Sequence, residues 1–131
     1  MTSYRGSCHC GDVRFMADID LSAGTVKCNC SLCTKMRWWA ALVKPGAFRL
    51  NGSLGLGEYR FLTQRDGHFF CRRCGVHTHS TGESSTLGAF VAVAVACLDD
   101  VEAEDLIAAP VRYLDGRNDV WDRAPDEVRH L

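Results

Sequence analysis

Ser7-Cys8-His9-Cys10-Gly11 and Phe70-Cys71-Arg72-Arg73-Cys74-Gly75 are the two stretches on which the reading of this chain turns. Each sets two cysteines close together and follows the second with glycine. Short spacing lets one tight turn aim two thiolates inward, and glycine permits the positive φ that such a turn needs. Zinc prefers four soft ligands in a tetrahedron, and two short-spaced pairs from separate turns supply them. Cys8, Cys10, Cys71 and Cys74 are therefore read as one closed, structural zinc site.

A third cluster, Cys28-Asn29-Cys30-Ser31-Leu32-Cys33, then has three cysteines and no fourth partner in sequence. Three protein ligands and an open position are the construction of a catalytic zinc. The alternative is a second structural zinc, closed by Cys97 or by a histidine such as His77 or His79. Cys97 sits alone in an apolar run and reads as a small buried hydrophobe. His77 and His79 alternate with Thr78 and would share one face of a strand. Ser31 and Thr34 are placed to hydrogen-bond ligand sulfurs. Lys35 and Arg37 are placed to meet an anionic group, and of the adjacent Trp38 and Trp39 one would face the core and one the site.

Working outward, the chain has 131 residues, the size of a single domain spanning 1–131. Eight cysteines are about 6% of it, below the density of a disulfide scaffold. Met1–Gly6 contains no apolar leader. Together these predict reduced thiols in a cytoplasmic protein. Fifteen Lys and Arg against sixteen Asp and Glu give a net charge of −1, with no basic run to recruit nucleic acid. The longest apolar run, Leu87–Leu98, has 12 residues, whereas a membrane-spanning helix needs about 20.

Short strands with frequent turn signals predict an all-β domain. Val13, Phe15, Ala17 and Ile19 alternate with charged residues as a half-buried strand. Further strands are expected at Thr25–Lys27, Trp38–Val43, Phe48–Leu50, Tyr59–Leu62, His68–Phe70, Phe90–Leu98 and Val111–Leu114. Asn51-Gly52 reads as a hairpin turn and Asp66-Gly67 as another. Asp99 and Glu102 read as the capping box of a short helix through Ile107, ended before Pro110.

Taken together, Gly6-Ser-Cys8-His-Cys10-Gly11-Asp-Val13-Arg-Phe15, Cys28-Asn-Cys30-Ser31-Leu-Cys33 and Phe70-Cys71-Arg-Arg-Cys74-Gly75 resemble the glutathione-dependent formaldehyde-activating enzyme family, also called the CENP-V/GFA domain. Pro45-Gly46-Ala47-Phe48 and Val95-Ala-Cys97-Leu98-Asp99 agree, and the resemblance covers residues 3–115. It implies a Mss4-like fold of several small coiled antiparallel sheets with zinc-knuckle turns. It implies two zinc ions per chain, a structural one on Cys8, Cys10, Cys71 and Cys74 and a catalytic one on Cys28, Cys30 and Cys33. It also implies a carbon–sulfur lyase or synthase acting on a thiol such as glutathione and a small aldehyde, the adduct being S-hydroxymethylglutathione. Folds of this kind also serve as zinc-stabilised binding modules, and an open metal position is what separates the two expectations.

Overall fold

The computed structural model describes residues 1–61 and 66–131. The all-β expectation holds. A three-stranded sheet of order β1-β2-β5 is formed by Thr2–Ser7, Val13–Ile19 and Phe48–Ser53. A seven-stranded sheet runs β10-β3-β4-β9-β8-β7-β6. Its strands are β3 Thr25–Cys28, β4 Trp39–Val43, β6 Leu56–Tyr59, β7 His68–Cys71, β8 His77–Ser84, β9 Gly88–Ala94 and β10 Val111–Leu114. Among the described residues all pairings of these strands are antiparallel except β10 with β3, which is parallel.

The alternation in β2 buries Val13, Phe15, Ala17 and Ile19 beneath the larger sheet. Phe15, 1% exposed, lies across its strand partner Gly6, where a Cβ would come within 2.1 Å of the ring. The two sheets meet where Phe48 of β5 packs on Phe15 and on His79 of β8, at centroid distances of 5.2 and 4.5 Å. His79 also stacks on Phe69 of β7 at 4.7 Å, and its Nδ1 pairs with Thr78 Oγ1 at 2.9 Å.

That burial pushes the His79 pKa down from 6.5 to about 4. The folded state therefore takes up its proton later than the unfolded chain. Stability is expected to fall as pH drops from 6.5 to about 4, by about 3 kcal/mol from this group. Urea unfolding at several pH values checks this. His79→Gln should flatten the acid slope relative to wild type, while protonation of the cysteines contributes to both proteins alike. Parallel slopes would remove His79 from the account.

Several local expectations are corrected. Asn51-Gly52 is not a hairpin turn. β5 runs through it, with Arg14 opposite Gly52 and Phe15 opposite Leu50, so Asn51 is the extra residue of a bulge. The reversal comes at Leu54-Gly55, where Gly55 takes φ +69°. The strand expected at Tyr59–Leu62 instead ends at Tyr59, and Leu62 lies outside the described residues. The strand through Phe90 stops at Ala94, because Val95–Cys97 coils into a 3-10 turn that turns Ala96 outward. The helix near Asp99 is present as α2, Ala103–Ala108, but without a capping box. Asp99 is occupied elsewhere, accepting from Ser7 Oγ at 2.8 Å, while its N–H donates to the Arg5 carbonyl.

His77 and His79 do not share a face. The β7–β8 register shifts by one residue between Phe69 and Phe70, so His77 meets Phe70 and His79 meets Phe69. Successive residues of a strand point to opposite sides, and the two rings follow them.

Candidate metal centre

Two knuckles of the same construction face each other. In the first, Cys8 N–H donates to the Val13 carbonyl, Gly11 N–H to the Cys8 carbonyl, and Val13 N–H to Cys8 Sγ at 3.3 Å. In the second, Cys71 N–H donates to the Val76 carbonyl, Gly75 N–H to the Cys71 carbonyl, and Cys74 N–H to Cys71 Sγ at 3.5 Å. Gly11 and Gly75 take φ +85° and +79°, the conformation for which glycine is suited. An ion pair, Arg73 to Asp12 at 3.7 Å, crosses between the two turns.

The sulfurs of Cys8, Cys10, Cys71 and Cys74 lie within 4.8 Å of one another. Zinc–sulfur bonds of about 2.3 Å in a tetrahedron separate sulfurs by about 3.8 Å. Cys8–Cys10 and Cys10–Cys71 stand at 3.7 and 3.6 Å, and all eight cysteines are free of disulfides. The donor set fits zinc. Burial fits a structural role: Cys71 is fully buried and Cys8 nearly so, packed with Val13 in a small core of their own. The cluster joins the three-stranded sheet to one side of the seven-stranded sheet. Cys74 is held down to about 6, first by the Val76 and Cys10 backbone N–H groups and then by the Cys71 and Cys8 thiols.

Cys28, Cys30 and Cys33 form the second group, their sulfurs also within 4.8 Å of one another. Cys28 ends β3, and α1, Ser31–Met36, carries Cys33 round to meet it. The cap of α1 is unusual: Cys30 Sγ accepts the Cys33 N–H at 3.3 Å, taking the place of a serine or aspartate. Cys30 N–H in turn donates to Cys28 Sγ at 3.4 Å. Within the trio the Cys30 thiol is held well below its ordinary range. The Cys28 and Cys33 thiols and the Cys33 and Leu32 N–H groups all donate to its sulfur. Among the described residues no histidine, carboxylate or fourth cysteine shares this reach.

The other candidates are placed as follows. Cys97 belongs to neither sulfur group, its Sγ donating to the His77 carbonyl at 3.4 Å and its thiol pushed up to about 12 by burial. Thr34 Oγ1 donates to the Asn29 carbonyl and not to a sulfur, and Ser31 is exposed. Trp38 and Trp39 are both half-buried. Trp39 Nε1 donates to Thr25 Oγ1 at 2.8 Å, and the Lys27 ammonium sits 5.4 Å above its ring. Both tryptophans line a cleft of about 430 Å³ with Arg37, His77 and Cys97. Arg37 donates to the His130 carbonyl, Lys27 donates to the Leu131 carbonyl, and Lys35 is exposed.

Sequence reading misses the wall of the three-cysteine site. Asn29, inside the motif, is buried. Its amide donates to Asp115 Oδ1 at 2.8 Å and accepts from the Arg117 N–H at 3.0 Å. Asn29 N–H also donates to the Leu114 carbonyl. These bonds clamp the turn at 115–118 onto the cluster. A Cβ on Gly116 would stand 2.6 Å from Cys28 Sγ, 2.8 Å from the Trp121 ring and 3.2 Å from Cys30 Cβ. Asp115-Gly116 shows in the sequence only as a turn, and nothing local ties it to Cys28.

No helix among the described residues is long and apolar enough to cross a membrane. The chain is similar to the crystal structure of a Rhodobacter sphaeroides protein solved as a structural-genomics target, with 31% identity and a TM-score of 0.69, over 82% of this chain and 98% of that one. The family model for glutathione-dependent formaldehyde-activating enzyme matches residues 3–113. With both cysteine groups in place, the chain belongs to the glutathione-dependent formaldehyde-activating enzyme family.

Proposed function

We propose that the chain makes or breaks the carbon–sulfur bond of a thiol–aldehyde adduct at Cys28, Cys30 and Cys33, in a reducing, cytoplasmic setting. The family description supplies the pair, glutathione and formaldehyde. The observation that carries the reading is three thiols converging with no fourth protein ligand among the described residues. Cys28, Cys30 and Cys33 would hold zinc as three thiolates, and zinc bound there would supply a soft, open position that favours the deprotonated form of an incoming thiol.

The chain's own residues do the rest. The backbone N–H groups of Cys30 and Cys33 donate to the sulfurs of Cys28 and Cys30 and fix them from one side. Gly116, lacking a side chain, lets the turn at 115–118 pack directly against Cys28, and the ring of the partly exposed Trp121 closes on the same spot. Adding a thiol to an aldehyde forms one carbon–sulfur bond and moves the thiol proton to the former carbonyl oxygen. No oxidant or reductant is consumed, so the site's work is to hold two reactants together.

Cobalt in place of zinc tests the reading through its visible spectrum. Glutathione should change the spectrum of one of the two sites, and Cys30→Ser should abolish the change. A spectrum indifferent to excess thiol would leave the three-cysteine group closed and favour a zinc-stabilised binding module.

A further inference from the structure

Arg117 is the cation fixed against the backbone of the three-cysteine motif. Its N–H donates to Asn29 Oδ1, and its guanidinium Nε donates to the Asn29 carbonyl at 3.2 Å. Asn29 is the residue between Cys28 and Cys30, so the guanidinium is held one peptide from two of the three sulfurs. The side chain is exposed, and its two terminal nitrogens have no protein partner among the described residues. The nearby carboxylates are engaged: Asp115 accepts from the Asn29 and Asn118 amides, and Asp119 accepts from Trp121 Nε1 at 2.7 Å. Arg37 and Lys27 donate to the backbone of residues 130 and 131, and Arg123 lies within electrostatic reach of Asp115.

A guanidinium pinned through Nε keeps its outer edge in a fixed orientation, and that edge matches a carboxylate with two parallel N–H donors. Pre-orientation lowers the entropic cost of using it. We infer that Arg117 is a specificity-determining residue that binds a carboxylate of the incoming thiol, so that this site selects anionic thiols over neutral ones. The inference rests on the thiol-capture reading above. Buried Asn29 and Asp115 are positioning residues, acting through Arg117.

The test titrates the cobalt-substituted full chain with 3-mercaptopropionate and with 2-mercaptoethanol, compared at equal thiolate concentration, and follows the cobalt spectrum. Wild type should bind the carboxylate thiol about tenfold more tightly than the neutral one. Raising the ionic strength should shrink the difference. Arg117→Gln should remove the advantage while leaving the neutral thiol's affinity and the metal content unchanged, and Arg117→Lys should restore part of it. If Arg117→Gln weakens both thiols equally, or leaves the discrimination intact, the inference is wrong while thiol capture stands. If neither thiol alters the spectrum, thiol capture fails and takes the inference with it.

Discussion

Cys71→Ser is expected to yield a chain that does not fold at ordinary temperature. Cys71 Sγ is fully buried, accepts the Cys74 N–H and lies 3.6 Å from Cys10 Sγ. A hydroxyl in its place is a poor zinc ligand at neutral pH. Structural zinc sites contribute roughly 10 kcal/mol in small peptides, as much as a whole domain's typical stability of about 5–15 kcal/mol. The four-cysteine cluster also joins the two sheets, so its loss would separate layers that meet elsewhere through Phe15, Phe48 and His79. Cys30→Ser should behave differently. Serine caps α1 as well as the sulfur does, and Cys30 is half-buried and outside the main cores. That variant should fold, melt close to wild type and carry one zinc fewer. Zinc per chain and thermal melts of both proteins decide the matter, and equal destabilisation would refute the division into structural and open sites.

Gly116→Ala is the second large effect, and it should be confined to the three-cysteine site. The added Cβ meets Cys28 Sγ at 2.6 Å. Neither side yields easily. Cys28 is held by the pairing of β3 with β10, and the glycine is held by the bonds from Asn29 to Asp115 and from Arg117 to Asn29. Residues that orient metal ligands typically change affinity by roughly ten- to a hundredfold, and the second zinc should weaken by that amount. Gly46→Ala is the control, since nothing lies within 4 Å of its Cβ. Competition against a metal buffer reads the result. A second site of unchanged affinity in Gly116→Ala would show that the turn at 115–118 does not shape it.

What was legible in the sequence follows from how local each signal is. β2 declares itself because one face is buried and the other wet along its whole length. The knuckles are legible because cysteine spacing and the following glycine lie within five residues of one another. The bulge at Asn51 is not, because Asn-Gly serves a bulge as readily as a turn, and the choice belongs to the partner strand. The end of β9 at Ala94 was hidden by an apolar run that continues through the following turn. α1 was invisible because its cap is a thiol, outside the usual set of capping residues. Asn29, Gly116, Arg117 and Trp121 escaped for the opposite reason to the knuckles: their meaning arises only when distant segments touch.

The parallel pairing of β10 with β3 has a consequence for the order of events during synthesis. Cys28, Cys30 and Cys33 leave the ribosome well before the turn that walls them, which lies 86 positions further along, from Asn29 to Asp115. The four-cysteine clamp is complete in sequence once Cys74 has emerged. Cys8, Cys10, Cys71 and Cys74 can thus come together while the Cys28–Cys33 segment still lacks its wall. The three-cysteine group gains its wall only when β10 slots in beside β3, so its enclosure comes after the four-cysteine clamp has all its residues.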